Sequence, residues 1–251
     1  MNKRFSIKST AICVQDLELL SDFGLSGYEV EKNRLPAALR RRTSLTTRMA
    51  VTAAFRACEQ AGADPGITPS VFASLGGEIQ VTDSLCRTLT DIDALLSPTQ
   101  FHNSVHNTTS GYWSILNECR ATTTAIAAEQ DTFAMGLLEA CSQLLQNQGD
   151  ILLVCYDENW PQYLAPPIGK TPFVCALIVS NDQCERSMGT ISMPDVDSRE
   201  PIQDRKIFDL IQSAPAAASI PLLQAISHSE TDDHIPLNYQ GAFWYTHFIK
   251  K

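Results

Sequence analysis

Nowhere in this 251-residue chain do two of its eight cysteines stand as a Cys-x-x-Cys pair, and no histidine lies at metal-ligand spacing from one. That absence argues against a zinc site. It leaves Cys13, Cys58, Cys86, Cys119, Cys141, Cys155, Cys175 and Cys184 to be read as reduced thiols packing as small hydrophobes. A basic face is missing too: the net charge is -9, and the one basic concentration is Arg40-Arg41-Arg42, a helix-flanking patch rather than a nucleic-acid surface. No run of about 18 uncharged apolar residues occurs, which excludes a membrane-spanning helix. The start through Phe5-Ser6-Ile7-Lys8-Ser9-Thr10 carries no apolar stretch of signal-peptide length. The expectation is a cytoplasmic protein with no cofactor and no metal. No internal repeat or low-complexity linker breaks the chain, and at 44% hydrophobic residues it is long enough to bury one substantial core.

What is present is an alternation of strands and helices. Phe5 to Val14 reads as a strand, with an apolar run at Ala11-Ile12-Cys13-Val14. From Ser44 the period changes: Leu45, Met49, Ala53, Ala57 and Ala61 recur at helical spacing and stop at Gly62. Val71 to Leu75, closed by Gly76-Gly77, reads as a buried strand, and Thr82 to Leu96 as a helix capped near Thr82 or Asp83. Thr122 to Ala128 is β-branched and then small, and Asp131 to Gln146 is a helix apolar on nearly every side, expected to be buried on every side. Two apolar strands follow, Asp150 to Tyr156 and Pro172 to Val179, joined by a loop through Pro161, Pro166 and Pro167. Ser187 to Arg205 is polar, an edge strand and loop, and Ile207 to Ser227 holds two weak helical pieces split at Pro215 and Pro221. The aromatic tail Tyr239 to Tyr245 is expected to dock on the body. This order implies an α/β fold with a mixed, mostly parallel sheet and helices on both faces.

A short β-segment running into a buried helix is where α/β enzymes place a nucleophile. The sharp turn exposes the residue, and the helix N-terminus stabilises a thiolate or oxyanion. At that place, Ala127 to Thr132, this chain offers Glu129, Gln130 and Asp131. Two carboxylates suit a helix N-terminus but oppose the formation of a further anion there. The chemistry that the layout would support is therefore missing its reactive group.

Three blocks carry a resemblance: Arg40 to Ala50, Ser97-Pro98-Thr99-Gln100-Phe101, and above all Ser104-Val105-His106-Asn107-Thr108-Thr109-Ser110-Gly111-Tyr112-Trp113-Ser114-Ile115. They resemble the amino-terminal half of β-ketoacyl synthases of the thiolase fold. More narrowly, they resemble the short ketosynthase-like proteins of aryl polyene clusters that are similar to chain-length factors. The resemblance covers roughly Phe5 to Val179. It implies a layered α-β-α, thiolase-like domain, truncated relative to a full ketosynthase, with a core over residues 1–185 and an atypical carboxy-terminal extension over 186–251. An active ketosynthase takes its acyl chain from an acyl carrier protein on a cysteine at the start of the buried helix. Counting from Ser114-Ile115 brings that position to Gln130, and matching on Ala134-Met135-Gly136 brings it to Ala128. The Glu129-Gln130 pair also resembles chain-length factors, in which glutamine commonly replaces the nucleophile. The family's two catalytic histidines belong to a carboxy-terminal half that the sequence up to Lys251 is expected not to hold in full, and His228, His234 and His247 sit in no matching motif.

The resemblance thus implies a non-catalytic subunit that forms a heterodimer, or a dimer of heterodimers, with a full-length ketosynthase, through the edge of the central sheet and the adjacent helix. It would meet the acyl carrier protein by way of that partner and shape the acyl tunnel. Leu85, Phe133 and Met135 are the candidates for tunnel wall or interface. Two other readings stay open: a homodimeric acyl-chain-binding module, and a residual acyltransferase or hydrolase with another nucleophile. For the latter, Cys119 and Cys141 are expected to be structural thiols. His102 and His106, beside Asp91 and Asp93, are expected to be loop histidines bonded to backbone.

Overall fold

The computed structural model describes residues 3–91, 93–164, 171–182, 187–198, 200–201, 204–212, 214–228, 232–239 and 242–251. The expected features at Pro166, Pro167, Cys184 and 240–241 lie outside them. Nine strands form one sheet: β1 (Arg4–Val14), β2 (Ser70–Ala73), β3 (Thr123–Ile126), β4 (Asp150–Asp157), β5 (Phe173–Ser180), β6 (Gly189–Ser192), β7 (Asp195–Asp197), β8 (Asp232–Pro236) and β9 (Phe243–Lys250). Their order is β3-β2-β4-β5-β1-β6-β9-β7, with β8 also on β9. The helices are α1 (Glu18–Ser21), α2 (Ala37–Arg40), α3 (Leu45–Ala61), α4 (Ile79–Leu89), α5 (Pro98–Asn103), α6 (Thr108–Leu116), α7 (Thr132–Gln146), α8 (Arg205–Ile211) and α9 (Ile220–His228).

Side-chain alternation along the central strands explains the layering, because successive residues point to opposite faces. Leu152, Val154 and Tyr156 of β4 join α3 and Trp113 of α6 in one core, and Ile151, Leu153 and Cys155 join α7, α8 and α9 in the other. β4 and β5 are buried on both faces, as their unbroken apolar runs require. The alanines of α3 (Ala50, Ala53, Ala54, Ala57) are fully buried and bring that helix close to the sheet. Its ends are where the sequence marks them: Ser44 Oγ accepts from Thr47 N at 2.9 Å, and Gly62 takes the left-handed φ of +70° that ends the helix.

Four expectations are corrected. The sheet is mixed but mostly antiparallel: β2 runs parallel to β3 and β4, and the other pairings between described strands are antiparallel. A parallel pair needs a crossover, usually helical, whereas β4 returns to β5 through a connection in which no described residue is helical. The helix after β2 begins at Ile79, not Thr82, because the amide of Gln80 in its first turn is satisfied by Glu158 Oε1 at 2.7 Å, a partner from the far side of β4. Pro221 does not split a helix: it occupies the first turn of α9, where its missing N–H costs nothing. Finally, α7 is not buried all round. Phe133, Ala134, Leu137 and Ala140 are enclosed, but Met135 and Leu138 are half-buried and Leu145 is exposed. The aromatic tail does dock, as β9 in the sheet, and of the polar stretch before α8, β7 forms an edge while β6 lies inside, between β1 and β9.

Candidate functional site

The strand-turn-helix at the rim of the sheet has the sharp bend expected of it. β3 ends at Ile126, whose carbonyl accepts from Ser74 N at 3.0 Å at the end of β2. The backbone then turns through Ala128 (φ -151°, ψ 46°) and Glu129, whose φ of +48° is left-handed, a conformation that costs a non-glycine residue about 1 kcal/mol or more. A 3-10 turn over Glu129–Asp131 leads into α7 at Thr132. Thr132 holds the bend from within: its Oγ1 accepts from Ala128 N at 3.0 Å and donates to the Glu129 carbonyl at 2.6 Å. Ala128 and Gln130 are both half-buried, and Gln130 Oε1 is buried without a hydrogen-bond partner. Burial raises the Asp131 carboxyl above its ordinary value, against the lowering effect of bonds from Asn238 and Trp244. Asn238, fully buried, ties the carboxy-terminal strands to this bend by donating to Asp131 and accepting from Trp244 N at 2.9 Å.

The three tunnel or interface candidates separate. Phe133 is wholly inside the core between α7 and the sheet, Met135 lies at the margin of that core, and Leu85 is the buried residue of α4. Around α4 and α5 three large apolar side chains stand exposed among polar ones: Leu95 is 94% exposed, Phe101 63% and Leu89 64%. An open cleft of about 600 Å³ between α4 and the segment after β4 is lined by Gln80, Asp83, Arg87, Trp160 and Tyr163. The Arg87 guanidinium stacks over the Tyr163 ring at 5.1 Å. Among the described residues, β3 pairs only with β2, leaving its other edge open.

The alternative nucleophiles are poorly placed. Cys141 is fully buried, with its thiol pushed up by desolvation, and Cys119 is half-buried past the end of α6. His106 donates from Nε2 to the Ser74 carbonyl at 2.8 Å, the backbone bond expected of it. His102 lies in α5 rather than in a loop, edge-on to Tyr112 at 6.0 Å. Asp91 and Asp93 are exposed. Among the described residues no group of three or more histidine, cysteine or acidic side chains could hold a metal, and no helix is long and apolar enough to cross a membrane.

Sequence reasoning missed a buried acidic network at the same rim. Asp157, which ends β4, accepts from Leu75 N at 2.8 Å and Ser74 Oγ at 3.2 Å on one oxygen and from Ala216 N at 2.7 Å on the other. Burial still raises its carboxyl to about 7. Glu158 is raised to about 7 by burial and by the neighbouring Glu78 and Asp157, against the amide of Gln80 and the hydroxyl of Thr46. Glu78 is also raised by burial, with Thr47, Ser44 and Thr109 opposing. The available signal was a charged pair directly after an all-apolar strand.

The fold is thiolase-like: an α/β sandwich around a mixed sheet. Residues 25–244 match the family of the β-ketoacyl synthase N-terminal domain, and the chain belongs to that family. Similar solved structures include a ketosynthase (ApeO) in complex with its chain length factor (ApeC) from Xenorhabdus doucetiae, at 17% identity and a TM-score of 0.73, covering 98% of this chain and 99% of that one. A type II polyketide synthase acyl-carrier protein in complex with its ketosynthase bound to the hexaketide matches at 11% identity and a TM-score of 0.71, over 100% of both chains. The ishigamide ketosynthase/chain length factor matches at 11% identity and 0.66, over 89% of this chain and 85% of that one. A search among curated protein sequences returns no match.

Proposed function

We propose that this protein is a non-catalytic, chain-length-factor-like subunit that pairs with a full-length β-ketoacyl synthase in aryl polyene biosynthesis. The observation that carries the reading is the bend before α7: the turn that would present a nucleophile is kept, with a left-handed residue and a threonine brace, yet Ala128 and Gln130 occupy it. Neither side chain can accept an acyl group as a thioester. The edge of β3 left open among the described residues and the exposed side chains Leu89, Leu95 and Phe101 around α4 and α5 are surfaces available to the partner. Two of the similar solved structures are ketosynthases with their chain length factors, which is the pairing proposed. On this reading Met135 and Leu85 line the shared acyl tunnel and limit its volume by packing, Phe133 supports that wall from behind, and the acyl carrier protein is met through the ketosynthase.

Co-expression with a ketosynthase that carries an intact cysteine and two histidines tests the pairing. The expected outcome is a complex that purifies as one species; two separately stable proteins would refute it. Incubation of the chain alone with an acyl-pantetheine thioester is expected to leave its intact mass unchanged, and a covalent acyl adduct would make it an enzyme in its own right.

A further inference from the structure

One edge of β1 changes neighbours along its length and passes through an interval with none. At its start β6 covers Arg4 to Ile7, and Met188 N donates to the Ile7 carbonyl at 2.8 Å. Near its end the loop before α2 takes over: Tyr28 N donates to the Ile12 carbonyl at 2.8 Å, and Val14 N to the Tyr28 carbonyl at 3.3 Å. These bonds show that Ile12 and Val14 turn their main-chain groups away from β5. In an antiparallel ladder that direction alternates from residue to residue, and the register from Ser9 to Val14 is unbroken, so Thr10 faces the same way as Ile12. The N–H and C=O of Thr10 and the N–H of Ile12 therefore have no strand opposite them and no hydrogen-bond partner among the described residues. Ile12 is 4% exposed, and unpaired main-chain groups at such depth are rare.

The side chains do not fill this interval. A cavity of about 390 Å³, within the range of small-ligand sites, is lined there by Thr10, Ala11 and Ile12, by Ser26 and Gly27, and by Leu223 and Ile226 of α9. None of its described lining residues is charged, which fits a neutral ligand. The three main-chain groups call for an acceptor, a donor and a second acceptor in a row. An extended peptide supplies that series: one residue pairs with Thr10 through both its N–H and its C=O, and its next carbonyl on that side meets Ile12 N. The residue opposite Thr10 turns its side chain to the face of Ile12, toward Leu223 and Ile226. We infer that this slot binds a short extended peptide segment with a small apolar side chain, added to the sheet as a strand beside Thr10. Strands β5, β4 and β2 stand between the slot and β3, so the inference does not depend on pairing with a ketosynthase.

The test is titration of the isotope-labelled full chain with N-acetylalanine N-methylamide, followed by amide NMR. Before addition, the amides of Thr10 and Ile12 are expected to exchange with water faster than those of Ala11 and Cys13, which face β5; equal rates would overturn the proposal. On addition, saturable shifts and slowed exchange are expected at Thr10 and Ile12. N-acetylproline N-methylamide has no N–H for the Thr10 carbonyl and should bind about two- to tenfold more weakly. Ser26→Trp, at an exposed position on the cavity wall, should abolish the shifts. Absence of a saturable shift up to the solubility of the probe, equal binding of the two probes, or shifts that persist in Ser26→Trp would mean that water alone serves these groups, and would overturn the proposal. Should Ser26→Trp fail to fold, the comparison of the two probes decides.

Discussion

Helix α7 is seated on the sheet by the absence of a side chain at Gly136, and that closeness can be measured by filling it. A Cβ added there would lie 2.8 Å from Ala73 Cβ, 3.2 Å from Leu153 Cδ1 and 3.8 Å from Cys155 Sγ. Carbon atoms rest at about 3.5 to 4.0 Å, so the contact with Ala73 is short by about 0.7 Å or more. The end of Leu153 can yield, but Ala73 Cβ is fixed to the backbone of β2, so the helix itself must retreat. Overpacking of this kind costs about 1–3 kcal/mol, while replacing a helical glycine by alanine recovers about 1 kcal/mol. Gly136→Ala is therefore expected to lose about 1 kcal/mol net, a fall in Tm of about 2–4 °C for a chain this long, and Gly136→Val distinctly more. Gly111 of α6 is the control, because a Cβ there meets nothing within 4 Å, so Gly111→Ala should gain about 1 kcal/mol. Urea unfolding and thermal melts of the three variants read the series. If Gly136→Ala gains as much as Gly111→Ala, the close seating of α7 is wrong, and with it the placement of Met135 and the bend before it.

Asp157 and Glu158 give the protein an unusual pH profile. Both carboxyls are raised to about 7 by burial, so their contribution is complete at acid pH and is lost as pH rises toward and through 7. For Asp157, starting from 3.8, the span corresponds to an upper limit of about 4 kcal/mol, and urea unfolding of Asp157→Asn at about pH 5 and 8 should show most of that dependence gone. A wild-type stability that rises over the same interval would contradict it. Ser44→Ala removes both the N-cap of α3 and a donor to Glu78, and should cost about 1–2 kcal/mol by the same assay. Gln130→Cys should show no condensation in a carrier-protein extension assay when tested alone, and measurable product without a partner would overturn the non-catalytic reading.

The elements legible in the sequence were those whose burial is written in their own residues. The apolar runs of β4 and β5, and the Ser44 and Gly62 ends of α3, encode both place and type. What was not legible depended on partners distant along the chain. The direction of β5 follows from a connection, not from its composition, which is equally apolar in either orientation. The start of α4 is set by Glu158, 78 residues beyond Gln80, and the hydroxyl of Ser74 meets Asp157 83 residues away. The half-buried stripe of α7 was hidden because Met135 and Leu138 are apolar, and a hydrophobic-periodicity argument cannot tell a partly exposed apolar residue from a buried one.

The bend before α7 is likewise held by contacts distant along the chain as well as near ones. A left-handed Glu129 and a buried, unpartnered Gln130 oxygen are both unfavourable for the isolated chain, by about 1 kcal/mol or more each. What holds the turn is the contact on either side of it: Thr132 bracing Ala128 and Glu129 from within, and Asn238 gripping Asp131 from the carboxy-terminal strands. Asn238 is itself fixed by Trp244 N and the Ala242 carbonyl at 2.6 Å, so the carboxy-terminal strands help to hold the bend. Asn238→Ala should accordingly let the 3-10 turn relax into α7 and expose Asp131 to water, lowering the carboxyl toward its ordinary value. In hydrogen exchange the effect should be confined to residues 127–135, and a change spread evenly over the sheet would mean that the bend is held by something other than Asn238.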